Sequence, residues 1–400
     1  MSDRPHDLPA PEGEYFETNR FAGLSLVLGV IGFAGLVLCV IGAVWQPLQF
    51  SYSWLFAFGY FFTLCAGCFF WTIVHHAVDA EWSVVVRRQL ENIAVLLGVL
   101  AVLFVPVFFL RNNLYDWLII PVGHNHVLDA KRPYLNLTFF VIRALFYFTF
   151  FIIASQLVRR LSVKQDKDGN PAFTLTMRKV SITSLPLFAF SLTFAACDWF
   201  MSLHYTWFST MWGVYIFAGA AGSSMSLLVL VITGLRKAGY LRDVVTMEHY
   251  YFMGKWMLAF SVFWAYIGFS QYMLIWYANI PEETQYFLAR NTGSWWYLSL
   301  LLVFGRFFGP FAILLMQSVK KHPHQLASIA FWILAMQLLD IYIIVLPALH
   351  GLGVHPSIWD LISVVAIGCT LAFVFLRIVG RTSLFPVRDP RLIESIRIVN

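Results

Sequence analysis

Charge is scarce in this chain. Asp, Glu, Lys and Arg make up 12% of its 400 residues, about half the ~25% of a soluble domain. Apolar residues reach 60% and the mean hydropathy is +0.72. So little polar surface cannot cover a globule in water, which excludes a soluble domain. Cysteine is sparse too: Cys39, Cys65, Cys68 and Cys369 lie in apolar runs and Cys197 lies near a helix end, a pattern that builds no disulfide scaffold. Cys65-Ala-Gly-Cys68 has CxxC spacing. Lacking a second thiol pair or a His neighbour, it reads as small residues for helix packing rather than as a metal site. The first 20 residues lack an apolar run and carry Asp3, Asp7, Glu12, Glu14 and Glu17, so no signal peptide is expected. Haem b in membrane helices needs axial His pairs inside the spans, and the eleven His avoid span interiors. No CxxCH for haem c and no thiolate set for an iron–sulfur cluster is present, so the chain is expected to carry no redox centre of its own. Low-complexity tracts and a clear internal repeat are also missing.

What is abundant is apolar length. A membrane helix needs about 20 apolar residues, and ten stretches qualify: Phe21–Trp45, Tyr52–His75, Leu90–Leu110, Asn136–Val158, Val180–Met201, Met211–Leu235, Tyr250–Ala278, Trp295–Ser318, Leu326–Leu349 and Ile358–Ile378. The 39 Phe and 15 Trp fit lipid-facing walls and interfacial belts. The expected fold is an all-α integral membrane domain over residues 21–380, with tails at 1–20 and 381–400. Lys and Arg orient it. Of 27, twenty fall on the side of the two termini, four (Arg111, Lys131, Arg132, Arg290) on the opposite side, and three (Arg143, Lys255, Arg306) within spans. The positive-inside rule then places both termini in the cytoplasm and accounts for the net charge of +6 without nucleic acid. The segment around Lys164–Pro171 reads as a solvated inner turn. Pro106 and Pro310 are expected to kink their spans. Gly29, Gly32 and Gly35, and the run Ala218–Ser224, read as close-packing stripes; the latter lacks the strand and Lys of a phosphate loop.

Ionisable groups within a membrane are costly and usually functional. Arg306 lies 11 residues into the eighth span, roughly 17 Å down at 1.5 Å per residue. Asp340 lies nine residues before the outer end of the ninth, roughly 14 Å down. These spans are consecutive and antiparallel, so the two side chains are expected to meet, as a structural lock or as a proton-relay station. Arg143 sits in the outer half of the fourth span. Lys255 sits in the inner half of the seventh, within snorkelling reach of the surface. Asp198, with His204 and Tyr205, forms an expected titratable cluster at the outer face. It reads either as a helix cap with a wet loop or as a proton exit or quinone-headgroup contact. His75 and His76, with Asp79, Glu81 and Glu91, form an inner cluster that reads as a proton entry or as an interfacial loop.

Several stretches resemble those of a known group. They include Glu81–Arg88, Leu114–Trp117, Tyr134–Arg143, Asp198–His204, Trp207–Thr210, Gly213–Gly219 and, most extensively, Phe263–Thr284. In order and coverage, from about residue 75 to 345, the chain resembles the ActF-type membrane subunits of alternative complex III, a bacterial quinol:cytochrome c oxidoreductase. The resemblance implies a polysulfide-reductase-like membrane fold (NrfD/PsrC type) with two four-helix bundles, spans two to five and six to nine, flanked by spans one and ten. It implies the bacterial inner membrane, a sister membrane subunit, an iron–sulfur subunit, multihaem and monohaem cytochrome c subunits, and a terminal oxidase as a further partner. It also implies quinone chemistry, with menaquinone or ubiquinone, near the outer face, and participation in proton movement. Gly305-Arg306-Phe307 stands where relatives resemble Gly-His-Phe. Arg keeps its charge and cannot shuttle a proton, which moves that role toward Asp340. Asp79 and Glu81 are more acidic than the resemblance leads one to expect.

Three functions compete on this reading: a respiratory-complex subunit, a secondary transporter, and a passive anchor for periplasmic redox proteins. The chain shows no paired broken spans in corresponding halves, as many transporters do. The charges at Asp340, Arg306 and Arg143 argue against passivity.

Overall fold

The computed structural model describes residues 12–398; Asp3, Arg4 and Asp7 fall outside them. Among the described residues there is no strand, only an isolated bridge between Tyr15 and Ser383. Ten helices are long and apolar enough to cross a membrane: Ala22–Trp45, Pro47–Ala77, Glu81–Phe109, Leu137–Asp168, Ala172–His204, Trp212–Lys237, Met247–Ala278, Trp295–Leu315, Pro323–Ala348 and Ile358–Val379. Helices are the natural outcome, because a bilayer offers the backbone no water and each N–H must find a carbonyl within its own segment.

The second and sixth spans form the centre. They are 83% and 78% buried over their most apolar stretch, against 22% for the first and 28% for the tenth. Their contact relies on small residues: a Cβ on Gly67 would lie 2.2 Å from the Ala220 carbonyl oxygen, so only glycine permits this approach. The first span lies along the tenth, its stripe placing Gly32 against Thr370 and Gly35 against Ala366. The fourth packs on the fifth, and the seventh and ninth pack on the sixth.

Several boundaries differ from expectation for definable reasons. The fourth and fifth helices run about ten and eight residues past their apolar stretches. The expected loop over 159–179 therefore shrinks to a turn at Gly169, which closes the fourth helix at φ +67°. The third span is segmented at Val95 and Phe104, just before Pro106. The eighth ends at Leu315, three residues early, because Met316 is extended. Within it, Val303–Phe308 form a π-helical turn. Pro310 has no N–H to offer the Arg306 carbonyl, and π turns commonly occur at functional positions.

Residues beyond the spans are also packed. Glu14 accepts the Leu241 N–H at 2.7 Å. Leu384, Phe385 and Leu392 are buried, and Gln89 donates to the Leu384 carbonyl at 2.7 Å.

Candidate functional site

Asn136 caps the fourth span by accepting the Phe139 N–H at 2.9 Å, which sets Arg143 two turns in. Arg143 donates through Nε and Nη2 to the two oxygens of Asp198, each at 2.8 Å, and through Nη1 to the Tyr134 carbonyl at 3.0 Å. Tyr147 donates to Asp198 at 2.9 Å. The guanidinium also lies 3.8 Å from the Tyr134 ring centroid and 4.4 Å from that of Phe139. Both charged residues are buried. This bidentate pair is closed: the two partners satisfy each other, with the Tyr134 carbonyl and the Tyr147 hydroxyl completing the set.

The expected outer cluster is therefore dispersed. Asp198 faces Arg143, not His204. His204 instead lies 3.4 Å from Arg290, which donates to the carbonyls of Ile343, Ile344 and Tyr286 and sits 3.5 Å above the Tyr286 ring. Tyr286 stacks on Trp207 with centroids 4.0 Å apart, and burial pushes its hydroxyl up to about 12. Tyr205 turns to Asn125 and Lys131.

Arg306 and Asp340 do meet, at 3.6 Å. Tyr215 donates to one Asp340 oxygen at 2.6 Å and Trp264 to the other at 3.1 Å. Arg306 lies 4.5 Å from the Trp264 ring and donates through Nη2 to Gln337. Gln337 accepts from Ser223 at 2.9 Å and donates to Thr63 at 3.4 Å. One network thus joins the second, sixth, seventh, eighth and ninth spans. It is not saturated, since Arg306 Nη1 is buried without a hydrogen-bond partner among the described residues.

Asp340 also walls a cavity of about 600 Å³, within the range of small-molecule sites. The lining is overwhelmingly apolar, with Tyr215, Gln271, Arg290, Asn291, Ser299 and Asp340 among its polar residues. Tyr266, Phe269, Trp296 and Phe308 also line it and are 45–64% exposed, so the cavity reaches the outer surface of the helix bundle. Arg290 and Tyr286 close the end toward the short helix Pro281–Arg290.

The inner cluster is only partly assembled. His76 lies 3.4 Å from Glu91, which also faces Arg88 at 3.3 Å and Arg87 at 3.6 Å. His75 is buried between Trp71 and Trp82 with neither ring nitrogen bonded among the described residues. Asp79 turns away to Arg178 and Arg391, and Glu81 stays exposed. An open mouth is not what forms, because residues 381–398 lie over it. Asp389 takes Arg87 at 2.5 Å and Arg391 at 3.1 Å. Burial raises its carboxyl, but the two guanidiniums outweigh that and hold it well below the usual carboxylate range. Asp166, expected in a solvated turn, takes Arg88 at 2.7 Å and the Val387 N–H at 3.0 Å.

Sequence reasoning missed Tyr215, Trp264, Gln337, Tyr286 and Arg290. Gln337 carried a signal, three residues before Asp340 on the same helix face. Among the described residues no group of three His, Cys, Asp or Glu side chains is placed to hold a metal ion. Compared with known proteins, the chain matches no family model and no curated sequence.

Proposed function

We propose that the chain is a membrane subunit of a respiratory quinol:cytochrome c oxidoreductase of the bacterial inner membrane. In this reading it has two four-helix bundles, cytoplasmic termini, and a quinone-type ligand in the cavity at Asp340. The observation that carries the proposal is that cavity: apolar, reaching the outer surface of the helix bundle, and ending on a buried carboxylate. A prenylated quinone needs those features, since it arrives through the bilayer and presents ring oxygens for hydrogen bonding. The sequence resemblance to ActF-type subunits supports the same reading and supplies the expected partners: a sister membrane subunit, an iron–sulfur subunit and c-type cytochromes.

The bound ligand would contribute two-electron, two-proton redox chemistry. The chain's own residues bind and orient it and handle protons. Trp264 and the other lining aromatics enclose the ring and exclude water. Asp340 is the proton-exchanging group, because Arg306 keeps its charge; Tyr215, 2.6 Å from Asp340, is within the reach required of a relay. Arg143 and Asp198 act as a structural lock rather than as part of the route, since both are saturated. The third and eighth spans, each the third in its half of five, are both segmented, so the broken spans do not count against transport; the cavity at Asp340 is what favours the quinone reading. A photoreactive quinone analogue should label peptides from Met247–Ala278 and Trp295–Leu315, with excess quinone competing. Labelling confined to other spans would refute the site.

A further inference from the structure

The eighth span stops where Met316 turns extended (ψ 121°), and the chain enters the short helix Gln317–Lys321. That turn lays Lys320 across the seventh span. A Cβ on Gly254 would lie 2.7 Å from Lys320 Cγ, so the lysine stem occupies the space a side chain would fill, and Lys320 is buried. Its ammonium emerges 5.5 Å from the centroid of the Tyr251 ring, where the ammonium groups of Lys255 and Lys321 already sit at 4.3 Å and 5.2 Å. Lys255 is also 4.8 Å from the Phe252 centroid.

Three cations therefore share one aromatic ring, and their charges are not balanced. Glu248 takes Lys321 at 2.6 Å. Among the described residues, Lys255 and Lys320 have no carboxylate at ion-pair distance. The neighbouring imidazoles are engaged, His249 with Thr246 and His322 with the Ser318 carbonyl. Two ammonium groups held together without a counter-charge repel one another. Burial, and then Lys255, lower the proton affinity of Lys320. An anion seated between them would relieve that repulsion.

We propose that Lys255, Lys320 and Tyr251 bind the phosphate of an anionic phospholipid. Location selects lipid over other anions. Lys255 lies eight residues into the seventh helix, about 12 Å along it, and Leu315 and Met316, which immediately precede the helix carrying Lys320, are exposed apolar side chains suited to acyl chains. The lysines are on the side that charge distribution assigns to the cytoplasm, where anionic headgroups attract basic clusters. The site does not depend on the quinone reading.

The test is native mass spectrometry of the delipidated full chain in neutral detergent. It would be titrated separately with phosphatidylglycerol, cardiolipin, phosphatidylcholine and inorganic phosphate. Anionic lipid should bind well ahead of phosphatidylcholine. At about fivefold per lysine, Lys255→Gln or Lys320→Gln should weaken it about fivefold, and the double variant about thirtyfold. Lys255→Arg with Lys320→Arg should retain binding, which separates lost charge from lost folding. Lys164→Gln, remote from the site, should have no effect. Equal binding of phosphatidylcholine, displacement of lipid by millimolar phosphate, or unchanged affinity in the double Gln variant would each overturn the proposal.

Discussion

Replacing Asp198 by Asn leaves the shape of its side chain nearly intact and removes its charge. Arg143 then remains buried, between the rings of Tyr134 and Phe139 and one carbonyl, with no anion. Breaking a buried pair by removing one partner costs about 3–5 kcal/mol. At about 2 °C per kcal/mol, the lower end for large domains, the apparent melting temperature should fall by about 6–10 °C. The assay is differential scanning fluorimetry in one detergent at one scan rate, because large membrane proteins unfold irreversibly and only matched scans compare. The companion variant, Arg143→Met with Asp198→Leu, removes both charges and fills the space with apolar atoms; it should recover most of the loss. A fall under about 2 °C for Asp198→Asn, or a double variant no more stable than the single one, would refute the picture of a closed, mutually dependent pair.

Other outcomes follow from the same geometry. Asp340→Asn should lower quinol oxidation by the assembled complex about 10- to 100-fold, the cost of a lost charged hydrogen bond, with subunit composition unchanged; full activity would remove Asp340 from the chemistry. Gly67→Val, which drives a side chain into the Ala220 carbonyl, should cost at least the 1–3 kcal/mol typical of overpacking, read as a lower melting temperature. Asp389, held below the usual carboxylate range by Arg87 and Arg391, stabilises the docked C-terminal segment above about pH 4, the ordinary carboxylate value. That contribution is lost only as pH falls further. Proteolysis near Arg388 and Arg391 should accordingly stay slow from pH 7 to 5, whereas Asp389→Asn should accelerate it at pH 7.

The ten membrane helices were legible because apolar length is a one-dimensional property. The approach of Arg306 to Asp340 was legible from depth on consecutive antiparallel helices. The same arithmetic would have paired Arg143 with Asp198: one lies seven residues into its span, the other three before the end of the next, and an Arg side chain bridges the difference. Grouping Asp198 with His204 and Tyr205 at the outer face, as a helix cap or a proton-exit or quinone contact, hid that. The tie between His204 and Arg290 was not legible, because it depends on how an outer helix folds back over the ninth span. Nor was the covering of His76 and Glu91 by residues 381–398, since sequence gives no distance between a basic tail and a buried pair. The cavity itself is a gap between four spans, and no local pattern encodes a gap.

The most direct test of the central claim is purification in mild detergent through a tag on the C-terminus, followed by mass spectrometry of the product and its haem spectrum. The account predicts a multisubunit assembly with a second polytopic subunit, an iron–sulfur protein and c-type haem, able to oxidise quinol. A lone, colourless polypeptide that remains a monomer on cross-linking would contradict it.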